Sequence, residues 1–246
     1  VLARFLLGAG RLAWVNGVLE QSHKLFLRGL KVAQAAGNRR VAAWLLVELS
    51  VCAFGIDGRD LSLQRCEQGL AVFRELDDRP GIATAYNNLG EVARLSGDYK
   101  QAREMYEACL VICRETGEIT RQIMQSHNLA YIAYRQGDYT RARDLNISCL
   151  EQMVEIGWKH GSVDTLWNLA GPLTWLGQEE KAARLLGAST ALLVEMGVVP
   201  HPSDIHELAL YTADVRARLD ETAFEALTAE GKAMTLQQAV DYALTK

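Results

Sequence analysis

Residues 87–104 read NNLGEVARLSGDYKQARE, and residues 127–144 read HNLAYIAYRQGDYTRARD. Both carry Asn-Leu, then Gly-Asp-Tyr, then Ala-Arg and an acid. Gly97 and Gly137 stand 40 residues apart, and Gly177 lies another 40 on. Gly17 opens this column, with Asp57 in the slot between. A second column holds Gly37, Asp77, Gly117, Gly157 and Gly197. Leu49, Leu89, Leu129 and Leu169 form a third, Ala102, Ala142 and Ala182 a fourth, and Leu30, Leu70, Leu110 and Leu150 a fifth. Five copies therefore stand in register without an insertion, the first truncated at its start. A fixed period of this length marks a repeat architecture.

Each copy has two helical halves. In the third, Ala85, Tyr86, Leu89, Val92 and Ala93 follow helical spacing. Gly97 then stops the helix by taking a left-handed turn at low cost. Asp98 can cap the next helix by accepting a backbone N–H. That helix uses Ala102, Met105, Tyr106, Cys109, Leu110 and Cys113, and Gly117 ends it. A lone hairpin cannot bury both apolar stripes, so the copies are expected to stack on one another. Ala102, Ala142 and Ala182 fall where helices must approach closely.

The composition agrees. Of 246 residues 49% are hydrophobic and 23% charged, and only 4 are proline, so long helices can run uninterrupted. A net charge of -4 speaks against nucleic-acid binding through phosphate neutralisation. The 5 cysteines include no C-x-x-C pair. They read as small apolar fillers of a reduced, cytoplasmic chain. No apolar run reaches the ~18 residues of a membrane span. The apolar start VLARFLLGAGRLAW has no initiating Met and no cleavage pattern, and reads as a helix cut from a longer protein.

Tyr86, Leu89, Gly90, Ala93, Gly97-Asp98-Tyr99, Ala102, Tyr106 and Cys109 resemble the tetratricopeptide repeat (TPR). The resemblance is close in the third and fourth copies, partial in the fifth and faint in the first two. The period is longer than the usual ~34 residues, by nearly one turn per helix. The segment KAARLLGASTALLVEMG and the later LDETAFEALTAEGKAMTLQQAVDYAL look like the end of the helical sensor region of bacterial LuxR- and AfsR-type ATPase regulators. In those regulators a nucleotide-binding module precedes the repeats and a DNA-binding module lies at one end. The chain has neither a G-x-x-x-x-G-K-[ST] loop nor a convincing helix-turn-helix.

The expected fold is thus all-α: a right-handed α-solenoid of about five 40-residue TPR-like hairpins. The repeats fall at about 1–37, 38–77, 78–117, 118–157 and 158–197, and capping helices fill 198–246. The period breaks after Gly197. Pro200 and Pro202 disfavour helix before them. Helices are expected from about Asp204 to Leu219, from about Thr222 to Lys232, and from Thr235. The capping boxes there are Thr222-x-x-Glu225 and Thr235-x-x-Gln238. Pro172 should kink the first helix of the fifth repeat.

No Ser-His-Asp or Cys-His pattern is tied together by spacing, so no enzymatic activity is expected. His201 and His206 are five apart across a linker, the wrong spacing for one helical metal face. Asn88, Asn128 and Asn168 recur mid-helix and read as inter-helix hydrogen bonds rather than a catalytic triplet. No cofactor or metal is expected. The resemblance implies that partners bind the concave face, lined by the first helix of each repeat. Carried across by spacing, that face takes Arg11, Trp14, Trp44, Phe54, Asn87, Glu91, Arg94, His127, Tyr131, Tyr134, Arg135, Trp167 and Trp175. Trp, Tyr and Arg are the residues enriched at binding hot spots. The bland alternative is that these aromatics pack between helices or under the C-terminal cap. The expected role is a regulatory domain that binds a protein, a peptide or neighbouring domains of its parent. A small-molecule inducer sensor and a self-assembling scaffold are the alternatives. Direct nucleic-acid and membrane binding are not expected.

Overall fold

A computed structural model describes residues 1–198 and 202–245. Every regular element among these residues is an α-helix. They form two compact units, Val1–Gln125 and Ser126–Lys246. The first holds the hairpins α1 (Leu2–Val15) with α2 (Leu19–Ala35), α3 (Arg39–Cys52) with α4 (Phe54–Glu75), and α5 (Arg79–Leu95) with α6 (Tyr99–Thr116). Helix α7 (Ile119–Arg135) begins in the first unit and ends in the second. The second unit continues with α8 (Tyr139–Glu155), α9 (Lys159–Asn168), α10 (Ala170–Trp175) and α11 (Glu179–Glu195). It closes with α12 (Pro202–Arg216), α13 (Glu221–Lys232) and α14 (Leu236–Leu244).

The periodic glycines are the turns. Gly17, Gly37, Gly97, Gly117, Gly137, Gly157, Gly177 and Gly197 all have φ between 64 and 80°. This left-handed backbone is what lacking a Cβ allows. Asp77 sits in the same column and takes φ 49°, a conformation Asp tolerates better than most side chains. Asp57 does not take the turn of its column. Its neighbour Gly58 does, with φ 76°, and this interrupts the start of α4. The Asp57 carboxylate instead pairs with Arg65.

Caps recur with the period. The N–H groups of Val41 and Gly81 donate to the side chains of Asn38 and Asp78. Those of Gln101 and Arg141 donate to Asp98 and Asp138. The C-terminal segment departs in part from expectation. Helix α12 starts at Pro202 and ends at Arg216. Helix α13 is capped by Asp220, which accepts from the Ala223 N–H at 2.8 Å, so Thr222 lies inside the helix. Asp220 wins because it sits one residue before the first helical position. Helix α14 opens on the Thr235/Gln238 capping box. The expected linker around Pro200 and His201 lies outside the described residues.

Close packing explains the small residues. Ala102, Ala142 and Ala182 are fully buried. A Cβ on Gly90 would stand 2.5 Å from the Tyr106 ring, and one on Gly10 would stand 2.3 Å from Phe26. In the second unit, a Cβ on Gly231 would stand 2.0 Å from the Arg184 carbonyl oxygen, and one on Gly187 would stand 2.1 Å from that of Thr228. Helices α11 and α13 therefore cross backbone to backbone.

Pro172 interrupts the hydrogen-bond ladder of the first helix of the fifth repeat between α9 and α10, while Leu169 between them keeps helical φ -71° and ψ -24°. Proline has no N–H to give to the carbonyl four residues back, here that of Asn168. The Nδ2 of buried Asn146 donates to this oxygen instead, at 3.3 Å.

All five cysteines are buried and unbridged. Burial raises every thiol, those of Cys66 and Cys149 to about 12. These are inert packing groups.

Candidate interaction surfaces

In the first unit, α1, α3 and α5 are the first helices of successive hairpins, and α3 packs against both α1 and α5. A 40-residue register puts equivalent side chains of these helices side by side. The face is held by a chain of polar contacts. Arg11 Nε donates to Glu48 Oε1 at 2.7 Å, and its guanidinium lies 4.8 Å from the centre of the Trp44 ring. Trp44 leans on Phe73 at 4.9 Å. Asn88 Nδ2 donates to the Val47 carbonyl at 2.8 Å, tying α5 to α3. Asn87 donates to Asn88, and Gln125 Nε2 donates to Asn87 at 2.8 Å. Arg121 donates to Thr84 at 2.7 Å. Glu91 accepts from Arg94 at 2.9 Å and from the Tyr106 hydroxyl at 2.6 Å.

Glu48 carries the electrostatics of this face. It is 19% exposed, and burial raises its carboxyl above the usual range, against the pull of Arg11 and Arg121. Among the expected residues, Arg11, Trp44, Asn87, Glu91 and Arg94 thus belong to the first-helix face. Trp14 is half-buried and packs on the core around Phe26 and Leu45. Phe54 opens the second helix α4 rather than ending α3. Glu48, Arg121 and Gln125 were not foreseen. The signal for Glu48 was there: it is the lone acid in the apolar run VAAWLLVELSVC.

In the second unit the corresponding face is covered. Tyr211 of α12 is 1% exposed and meets Tyr134 edge-on at 4.8 Å and Trp167 at 5.9 Å. Gly171 makes room, since a Cβ there would stand 2.4 Å from the Tyr211 ring. Tyr134 donates its hydroxyl to Asp214, and Trp175 Nε1 donates to the same carboxylate oxygen at 3.1 Å. Burial is the main reason that the Tyr134 hydroxyl is raised above its ordinary value. Tyr134 and Trp167 are therefore packing groups under α12. Trp175 keeps 43% of its surface, stacked on Tyr139 at 5.2 Å with Arg218 over it at 4.5 Å. Arg135 donates to the Tyr131 hydroxyl at 2.7 Å, and His127 is half-buried. Of the three recurring asparagines, Asn88 bridges two helices, while Asn168 bonds its own helix at the Asp164 carbonyl.

Among the described residues, no group of three or more His, Cys, Asp or Glu side chains could hold a metal ion. No described helix is long and apolar enough to cross a membrane.

Two tetratricopeptide-repeat family models match the chain, one over residues 56–115 and one over residues 125–151. No curated protein matches it. Among solved structures, it is similar to the nearly identical TPR-like repeats of a protein described as a putative kinesin light chain from Podosopora anserina. A single-substitution form of those repeats aligns with a TM-score of 0.60 at 16% identity, covering 79% of this chain and 95% of that one. A second structure of the repeats aligns with a TM-score of 0.58 at 16% identity, covering 78% and 95%. The chain carries tetratricopeptide repeats, and its all-helical fold is that of TPR-like helical hairpins.

Proposed function

We propose that this chain is a protein- or peptide-binding regulatory module. Its partner is recognised on the first-helix face of the Val1–Gln125 unit. Tetratricopeptide repeats are an interaction and scaffold fold, which supports the general class. The observation that carries the specific reading is the Arg11–Trp44–Glu48 cluster beside the Asn87–Gln125 bonds. It joins an aromatic ring, a cation, a desolvated acid and amides on one face. Such groups give an extended peptide both apolar contact and hydrogen-bond partners, and Trp and Arg are favoured hot-spot residues. The regulatory role, and a parent of the bacterial LuxR/AfsR type, rest on the resemblance of the C-terminal segment.

Peptides selected from a random displayed library against the intact protein test this. Trp44→Ala should weaken a selected peptide by about 2 kcal/mol, roughly 30-fold in Kd. Asn87→Ala should weaken it too, with helicity unchanged. Peptides that bind both variants as tightly as the wild type would sink the proposal. A melting shift with a small molecule, and no peptide selected at all, would favour an inducer sensor instead.

A further inference from the structure

Helix α12 lies, in the second unit, over positions whose counterparts in the first unit line the first-helix face. Trp167 stands 80 residues after Asn87, Gly171 stands 80 after Glu91, and Tyr134 stands 40 after Arg94. The grip of α12 on them is that of a ligand. One ring, Tyr211, enters between Tyr134 and Trp167 at the gap left by Gly171. One acid, Asp214, accepts from the Tyr134 hydroxyl and from Trp175 Nε1. One turn before the ring, Glu207 is 8% exposed. It acts on the Tyr211 hydroxyl, with Arg135 of α7 opposing it. The inner side of α12 thus reads Glu207-x-x-x-Tyr211-x-x-Asp214. Two features let α12 leave by itself. Asp204 of α12 acts on Asp164 of α9, and two acids at close quarters repel. The other C-terminal helices have anchors of their own. Helix α13 crosses α11 backbone to backbone at Gly187 and Gly231, and α14 packs on α8, α9 and α11.

We propose that this face of the second unit is a docking site for an acidic helix of a partner protein, and that α12 fills it in cis. The partner helix carries an acid, a tyrosine four residues on and a second acid three further, and it takes the place of α12. A helix laid in a groove is a recurrent mode of recognition. Here the chain itself supplies the template for what the groove accepts. Gly171 sets the room for the ring, while Tyr134 and Trp175 supply the two donors for the acid. The partner gains access by shifting the balance between seated and free α12. The site is separate from the first-unit face proposed above, and its failure leaves that reading untouched.

A fluorescein-labelled peptide of residues 202–219, titrated with the whole chain and read by anisotropy, tests this. The wild type should bind it weakly, because the tethered α12 competes at an effective concentration on the order of millimolar. A chain carrying Tyr211→Ala and Asp214→Ala should bind it at least about 30-fold more tightly. The same two changes placed in the peptide should remove the binding. Gly171→Ala, added to the loosened chain, should remove it too. That change raises helix propensity, so the loss reports lost room for the ring rather than a lost helix. Hydrogen exchange of the wild type checks the opening with no substitution at all: α12 should exchange through an event that leaves α11 and α13 protected. A folded, loosened chain that binds the peptide no better than the wild type would overturn the proposal. So would equal binding of a shuffled peptide, or α12 exchanging only together with α11 and α13. Should the double variant not fold, the exchange result decides alone.

Discussion

Pro172 takes one hydrogen bond out of the fifth repeat, and Asn146 restores it from α8. Asn146→Ala should leave the Asn168 carbonyl buried without a donor, at a cost of about 1–3 kcal/mol. The lower end is expected, because Asn146 Oδ1 is itself buried without a partner and its removal brings relief. In a Pro172→Ala background, the new N–H can reach the carbonyl and Asn146→Ala should cost less. Urea midpoints of the four proteins in this cycle give the coupling, of order 1 kcal/mol. Additive losses would show that the two residues act separately. At the third repeat, Gly90→Ala forces a Cβ into the Tyr106 ring and should cost about 1–3 kcal/mol in the same assay. These pairs show how legible single residues were. The lost hydrogen bond at Pro172 could be read from residue type, because backbone chemistry is local. The identity of the compensating donor could not, because Asn146 and Asn168 meet only through the packing of α8 on α9.

At the scale of elements, α12 lies on the first-helix face of the second unit and brings charge to it. Asp164 on α9 is raised from 3.8 to about 6, first by burial, then by Asp204 of α12, against the opposing pull of His160 at 3.5 Å. The folded state thus holds this proton more tightly than the unfolded chain does. Stability from this group is full below about pH 4 and is lost as pH rises toward about 6. Asp164→Asn should remove that loss and stabilise the protein at pH 7.5 by about 2 kcal/mol relative to wild type. Its advantage should shrink at pH 4.5. A urea midpoint difference that does not change with pH would refute the assignment. The helices themselves were readable from apolar spacing and caps, and the 40-residue columns place their turns. What the period could not show is which face α12 would choose, since α12 lies outside the repeat. Tyr134 and Trp167 therefore read as groove residues on the family resemblance carried across by spacing, whereas Tyr211 and Asp214 of α12 take up their exposed edges.

For the molecule as a whole, two compact units follow from one uniform period. In the second, α12–α14 pack on α9–α11. Ending the chain at Gly197 should bare Tyr134, Trp167 and the α11 face. We expect dye binding and rapid amide exchange in α9–α11, with the exchange of α2–α5 unchanged. Native protection in α9–α11 of the shortened protein would show that the cap is dispensable.

The distribution of cysteine gives the two units different chemical signatures. Cys52, Cys66, Cys109 and Cys113 lie in Val1–Gln125, and Cys149 alone lies in Ser126–Lys246. None can meet a thiol reagent until its surroundings open. The stoichiometry of labelling under mild denaturant therefore reports which unit has loosened: one label for the second, four for the first. The wild-type chain carries its own stopwatch for local opening, with no probe to engineer.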